Sequence, residues 1–377
     1  MLLLAIDTSC DESCAAIVDT QHATLKANVV ASHVAKMRPY GGVMPEIVSR
    51  EHLTGLPYVV GAALLQAECT FQDLDWICVT QGPGLMGCLL VGTTYAQALA
   101  MALKRPLSGM DHLEGHLFSP LISALEGKGA AEVQAAPPFP WVALIASGGH
   151  TELYYVESAT HCRRLGGTRD DAAGEAFDKL GKLLGFEYPA GPALDAYVKR
   201  HATESDFTAF RFPQAQVGDS EFSFSGLKTA VRIEYESQRH ALKMSPGQAI
   251  PERVRVQLAA SIEHAVVEAL ADKCRKNLAQ FSGAHLVVTG GVACNSRLRA
   301  RLPEAYFPLP RFCTDNAAMI AARAHSLAMA GRLEPSLSWI SPYATSRRSF
   351  PAPGTPLLRA FREPGRDARL HSNGAAN

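Results

Sequence analysis

Two histidines four residues apart, in the run His112-Leu-Glu-Gly-His116, are the pair most suited to holding a metal ion. On a helix, positions i and i+4 share one face, so both imidazoles can reach a single cation. A pair of helix-surface histidines has the same spacing. The run is not the HExxH pattern of metalloproteases, because Glu114 sits between the histidines and would point away from their face, leaving a peptidase without its base. Two imidazoles need a further ligand, and Asp315, in Cys313-Thr-Asp-Asn316 at the end of an expected strand, is the best third one, since sites on α/β sheets gather at strand ends. Mixed nitrogen and oxygen ligands suit Zn2+ and Fe2+ alike.

Two polar turns offer hydroxyls, backbone N–H groups and glycines to a phosphate: Thr8 to Ser13, which contains Asp11 and Glu12, and Ser147-Gly-Gly-His150. A Gly-Gly-His turn is more often plain hairpin geometry. Gly82-Pro-Gly-Leu-Met-Gly87 is neither a Walker A loop nor a dinucleotide fingerprint, and close helix packing is its expected role. In Asp170 to Lys179, Asp171, Glu175 and Asp178 fall at i, i+4 and i+7, one helical face that could meet ribose or amino-acid groups. A solvated acidic helix would read the same way. Phe222-Ser-Phe-Ser-Gly-Leu-Lys-Thr229 reads as an aromatic strand running into a helix start.

These groups need elements to hold them. Leu2 to Asp19 reads strand, polar turn, strand, and Trp141 to Val156 repeats that theme around Ser147-Gly-Gly-His150. Two such units suggest a duplicated architecture with a cleft between lobes. Helical spacing marks residues 46–66, a buried strand 75–80, an apolar helix 89–103, and a third strand and turn lead through Gly290-Gly291 to Asn295. The expected organisation is an N-terminal lobe over 1–120, an Ala/Gly/Pro-rich connection over 121–140, a C-terminal lobe over 141–345 whose last helices can return to the first lobe, and a flexible tail over 346–377.

A chain of 377 residues with 47% hydrophobic and 19% charged residues can bury a large core, which excludes extensive disorder. Lys+Arg and Asp+Glu both number 36, so nucleic-acid binding must come from a local patch or from partners. Lys36, Arg38, Arg50, Arg297, Arg299 and Arg301 are the basic candidates. Nine scattered cysteines read as reduced thiols, Asp7, Asp11 and Glu12 interrupt the apolar start, and no other apolar run is expected to reach membrane-span length. The expectation is a soluble, cytoplasmic protein without a membrane partner.

In order along the chain, Asp7-Thr-Ser-Cys-Asp-Glu-Ser13, Gly41-Gly-Val-Met-Pro-Glu-Ile-Val-Ser-Arg-Glu-His52, Gly82-Pro-Gly-Leu85, His112-Leu-Glu-Gly-His116, Ser147-Gly-Gly-His-Thr151, Asp170 to Lys179, Phe222 to Thr229, Gly290-Gly-Val292 with Asn295, and Cys313-Thr-Asp-Asn316 closely resemble the bacterial tRNA N6-adenosine threonylcarbamoyltransferase family, once described as glycoproteases. The resemblance spans about residues 1–345. It implies an α/β fold like actin, Hsp70 chaperones and sugar kinases, two duplicated lobes around a nucleotide cleft. It implies transfer of the threonylcarbamoyl group of L-threonylcarbamoyl-adenylate to N6 of adenosine 37 in tRNAs reading codons that begin with A. By similarity, His112, His116 and Asp315 hold the metal, with Fe2+ favoured and Zn2+ the alternative, while Ala146, Ser147, Gly148, Gly149, His150, Asp178, Gly191, Asp195 and Asn295 contact the adenylate. Asp11 and Glu12 are candidates to accept the amine proton or position the ligand. The companions implied are a catalytically silent relative of the same fold and a small P-loop ATPase. Ala190 and Ala317 stand where the family has glycine, and Ala190 matters if its position needs positive φ. A metallopeptidase and a non-catalytic nucleotide-binding scaffold remain the competing readings.

Overall fold

The structure is a computed structural model that describes residues 1–126, 135–336 and 339–344. The N-terminal lobe contains β1 (Leu2–Asp7), β2 (Glu12–Asp19), β3 (Thr24–Ser32), α1 (Val34–Met37), α2 (Pro45–Gln66), β4 (Trp76–Gly82), α3 (Met86–Leu103), β5 (Leu107–Asp111), α4 (His112–Phe118) and α5 (Ile122–Leu125). The C-terminal lobe follows with β6 (Trp141–Ala146), β7 (Thr151–Ser158), β8 (His161–Gly167), α6 (Ala173–Leu183), α7 (Ala190–His201), α8 (Ser225–Ala241), α9 (Glu252–Leu278), β9 (His285–Thr289), α10 (Ser296–Arg301) and α11 (Ala317–Met329).

The two sheets repeat one plan. In strand order β3-β2-β1-β4-β5, β1 pairs antiparallel with β2 and parallel with β4. In order β8-β7-β6-β9, β6 pairs antiparallel with β7 and parallel with β9. β1 and β2 are apolar without alternation because both faces are covered. Leu3, Ala5, Ala16 and Val18 pack against α11 on one face, and Leu4, Ile6, Ala15 and Ile17 pack with α2 and α3 on the other. Residues late in the chain therefore complete the first lobe. Ile340 and Tyr343 return to it as well, through Gln97 Nε2 donating to the Ile340 carbonyl (3.1 Å) and Tyr343 N–H donating to the Gln81 carbonyl (3.1 Å).

Four local expectations change. Cys313–Asn316 is not a strand end: the chain makes a 3-10 turn at Pro310–Phe312, and Asp315 lies just before α11, whose first turn is capped by Asn316 Oδ1 accepting from Met319 N–H (3.0 Å). Prolines 308 and 310 lack the N–H groups a strand ladder needs. Residues 222–224 form only a single bridge, Phe222 to Thr168, and the Asp170 carboxylate holds them by accepting from Ser223 Oγ, Phe224 N–H and Ser225 Oγ. Ala190 needs no positive φ, since it opens α7 with its Cβ packed over Gly181. Finally, α3 has 18 residues with mean hydropathy 1.4, enough by length and composition to cross a membrane, although here its Cys88, Leu89 and Ala96 are buried in the lobe. Of the expected connection, residues 127–134 lie outside the described residues, and so does the tail 346–377.

Candidate metal centre and interlobe cleft

α4 lies between the lobes. Its Leu113, Leu117 and Phe118 pack on Trp141, Ala143, Ile145 and Tyr154 of the second sheet, and Gly115 lets α11 approach so closely that a Cβ there would meet Ile320 at 2.7 Å. The helix starts where Asp111 caps it, accepting from Leu113 N–H (2.8 Å) and Glu114 N–H (3.1 Å). That start puts His112 in the first turn and His116 one turn on, both buried.

The crossing of α4 with the turn before α11 brings Asp315 onto both histidines. One ligand atom from each of His112, His116 and Asp315 lies within 4.8 Å of the others. Asp315 Oδ1 is 3.0 Å from His116 Nε2 and 3.7 Å from His112 Nε2. Behind them, Asp7 Oδ2 stands 3.5 Å from His112 Nδ1, an ion-pair distance that favours a proton on Nδ1 and leaves Nε2 to face Asp315. Burial alone would lower the His112 pKa, but the Asp315 and Asp7 carboxylates overcome it and push it up to about 9. Against burial, His112 and His116 hold Asp315 well below the usual carboxylate range. The cluster therefore stabilises added positive charge, which is the test a divalent cation site must pass, and its donors fit Zn2+ or Fe2+. Glu114 points the other way, its Oε2 2.7 Å from Arg323 Nε in a buried pair.

Asp315 also forms part of the wall of an interlobe cavity of about 1330 Å³, shared with Asp11, Ser147, Gly148, Gly149, His150 and Asp178. Each lobe's turn is seated by a glycine from later in the same lobe. Gly84 meets the first turn so tightly that a Cβ would lie 2.6 Å from the Ser9 carbonyl oxygen, and Gly174 meets the second at 2.6 Å from the Ser147 oxygen. The first turn is further held by Ser13 Oγ, which lies 2.7 Å from His52 Nδ1 and 3.0 Å from His33 Nε2. An added Cβ on Gly148 or Gly149 would have no neighbour within 4 Å, so the backbone there is open to a ligand. Burial and the His112 and His116 charges push His150 down to about 4, which leaves it neutral at physiological pH. Asp11 Oδ2 is buried without a hydrogen-bond partner. Glu12 instead meets Ser32 Oγ (3.2 Å), and burial with the Asp315 and Asp11 carboxylates pushes it up to about 10.

The acidic face expected from Asp171, Glu175 and Asp178 divides, because α6 begins only at Ala173. Asp171 and Glu175 hold Lys179, Asp171 also holds Lys228, and Asp178 Oδ1 accepts from Ala190 N–H (2.7 Å) and Gly191 N–H (3.2 Å). Ala146 ends β6 and is buried. Asn295 and Asp195 lie in a separate network: Asn295 Nδ2 donates to Asp195 Oδ1 (3.3 Å) and Glu263 Oε1 (2.7 Å), and Ser296 Oγ donates to Asp195 (2.6 Å).

Glu263 was not legible from sequence, being one acid in a long mixed helix. It is buried in α9, and burial, with Asp195 beside it, pushes its pKa up to about 8. Between its ordinary value of about 4.3 and pH 8 the unfolded chain binds fewer protons than the folded one, so this group lowers stability as pH rises. Glu263→Gln keeps the acceptor for Asn295 and removes the charge. The variant is expected to match wild type in urea unfolding near pH 4.5 and to exceed it above pH 8 by on the order of 4 kcal/mol. A difference that does not change with pH would refute the assignment.

Of the six basic residues expected to meet nucleic acid, five are engaged elsewhere. Lys36 pairs with Glu51, Arg50 with Glu46 and Arg301 with Glu268; Arg297 lies over Phe207, and Arg299 binds the Ala293 and Pro308 carbonyls. Arg38 alone of the six lines the cavity.

Two lobes built on one repeated sheet plan around a cleft place the protein in the actin-like α/β class. Two solved structures share this fold. Full-length HypF in its phosphate- and nucleotide-bound form superposes with a TM-score of 0.54 at 12% identity, covering 87% of this chain and 46% of that one. HypF of T. kodakarensis gives 0.52 at 13%, covering 88% and 48%. More specifically, residues 24–322 match the family model of tRNA N6-adenosine threonylcarbamoyltransferase. Curated relatives so described include one from Anaeromyxobacter sp. (strain Fw109-5), 45% identical over 85% of this chain and 92% of its own length, and one from Moorella thermoacetica (strain ATCC 39073 / JCM 9320), 43% identical over 86% and 91%. The chain belongs to the tRNA N6-adenosine threonylcarbamoyltransferase family and is a transferase of tRNA modification.

Proposed function

We propose that the chain moves the threonylcarbamoyl group of L-threonylcarbamoyl-adenylate to N6 of adenosine 37 in tRNAs that read codons beginning with A, releasing AMP, with one divalent cation held by His112, His116 and Asp315. The observation that carries this reading is that Asp315 closes the candidate metal centre and forms part of the cavity wall at once. Fe2+ is the favoured cation and Zn2+ the alternative. When bound, the cation supplies Lewis-acid charge at the phosphate or carbamoyl oxygen of the adenylate.

The protein's own groups do the rest. The open Ser147-Gly148-Gly149-His150 backbone receives the phosphate, with neutral His150 as a hydrogen-bond partner. Asp178, fixed by the Ala190 and Gly191 N–H groups, offers its carboxylate to ribose hydroxyls. Gly191 thereby acts through Asp178, and Asp195 with Asn295 braces the start of α10, Asp195 Oδ1 accepting from Asn295 Nδ2 and Ser296 Oγ. The N6 amine attacks the carbamoyl carbon, the bond from that carbon to the phosphate oxygen breaks, and AMP leaves with the electron pair. The amine proton passes to Asp11, whose Oδ2 is unpartnered; Glu12, held neutral, positions the turn and does not accept it.

The companions we propose are a catalytically silent relative of the same fold and a small P-loop ATPase, all in the cytoplasm. An apolar face supports the first: Leu53, Tyr58 and Leu65 on α2 and Met86, Leu90 and Met101 on α3 are exposed on adjoining helices. The test is nucleoside mass spectrometry after incubating unmodified tRNA with synthetic adenylate, this chain and both companions. Modified adenosine is expected with wild type. Asp11→Asn should lower the rate by roughly 10²–10⁴-fold, the range for loss of a positioned acid or base. Absence of product from wild type would refute the transfer reaction, and an Asp11→Asn rate equal to wild type would remove Asp11 from it. The peptidase reading has no base, since Glu114 is bound to Arg323.

A further inference from the structure

A second cavity, of about 1090 Å³, opens between the end of α6, the end of α8 and the start of α9. Its charged lining is Lys182, Arg239, Lys243 and Arg255 against Glu236 and Glu252, with His240 beside them. The two arginines are fixed scaffolding. Arg239 donates to the Gln248 and Ser245 carbonyls at 2.7 and 2.8 Å, and Arg255 stacks on Phe186 and Tyr197 at 4.5 and 4.9 Å while donating to the Leu184 carbonyl. Glu236 and Glu252 reach these arginines only at 4.0 Å. The two lysines differ from the arginines. Both are exposed, and among the described residues neither has a carboxylate partner, whereas Lys179, one turn before Lys182, is tied to Asp171 and Glu175.

Lys182 also lines the interlobe cavity. Its Nζ lies over Gly41 of the opposite lobe, where a Cβ would stand 2.9 Å away. One unpaired ammonium thus joins the two cavities at the mouth of the cleft, where Arg38 supplies a further cation from the first lobe. A polyanion leading out of the cleft would meet Arg38, Lys182 and Lys243 in turn. With zero net charge, any nucleic-acid affinity of this chain's own must come from a localised patch of this kind.

We infer that this second cavity is a backbone-phosphate site for the RNA substrate, receiving the strand next to the nucleotide whose base enters the interlobe cleft. The inference rests on the reading of tRNA as substrate. Contacts of this kind carry no base specificity but set affinity and its salt dependence.

The test is tRNA binding by the assembled complex with both companions, measured by filter retention across a salt series, for wild type, Lys243→Gln, and Lys182→Gln with Lys243→Gln. The double variant is expected to bind roughly tenfold more weakly near 0.15 M salt and to lower the slope of log affinity against log salt by about 1.4, the value for two phosphate contacts to a single strand. The single variant should show about half that change in slope. Matching thermal melts establish that the fold is intact. An unchanged slope would overturn the inference, as would a variant that loses only a companion protein while still binding tRNA. Transfer activity separates the two proposals. Wild type that transfers, with variants that bind tRNA like it, leaves the transferase standing and removes the phosphate site. Wild type that binds but never transfers refutes the reaction, while the slopes still decide the site.

Discussion

Asp315→Ala is expected to abolish both metal retention and transfer. Asp315 is the single carboxylate shared by His112 and His116, and it also faces the cavity, so its loss opens the cation site on the substrate side. Removing a group that merely orients a metal ligand costs about 10–100-fold in metal affinity or activity, and removing a ligand should exceed the upper end of that range. Metal content after purification and dialysis, read by elemental analysis, should fall from about one ion per chain to background, in step with the transfer rate. Asp7→Asn, which removes the charge beside His112 Nδ1 while keeping an oxygen to accept from Ser9 N–H, should fall within the 10–100-fold range. An Asp315→Ala protein that keeps its metal would refute the ligand assignment whatever its activity.

Arg323→Ala is the substitution expected to cost most stability. Arg323 is fully buried in α11; its guanidinium meets Glu114 Oε2 at 2.7 Å, donates to the Ala159 carbonyl at 2.6 Å and stacks on Phe118 at 4.1 Å. Truncation leaves the Glu114 carboxylate buried without a counter-charge, a loss of about 3–5 kcal/mol. That is a large part of a typical total of about 5–15 kcal/mol. Arg323→Met combined with Glu114→Leu removes both charges and should recover most of the loss, because a buried pair replaced whole by apolar groups is close to neutral. Urea unfolding of the two single variants and the double variant measures the coupling. A cost below about 1 kcal/mol for Arg323→Ala would show that Glu114 finds water or another partner.

The two hairpins, the helix carrying His112 and His116, and the repeated plan of the lobes were legible because each depends on local pattern: apolar runs, polar turns and a four-residue spacing. Asp315 was legible as a candidate ligand by residue type, but its setting was not, since prolines 308 and 310 break the strand expected before it. What stayed hidden depends on pairing across the fold. Asp7 behind His112, Arg323 on Glu114 and Glu263 under Asn295 join residues far apart in sequence, and no spacing rule connects them. The pairing of the basic residues was hidden in the same way. Lys36, Arg50 and Arg301 look free in a sequence and are paired in the fold, whereas Lys182 and Lys243 looked ordinary and have no acidic partner among the described residues.

The packing of α11 on β1 and β2 has a consequence for how the chain folds as it is made. Until residue 329 has left the ribosome, Leu3, Ala5, Ala16 and Val18 lack the helix that covers their side of the sheet. The lobe synthesised first is therefore the lobe completed last, and the nascent chain carries an uncovered apolar sheet face through nearly all of its synthesis, the state in which chaperone capture and aggregation compete with folding.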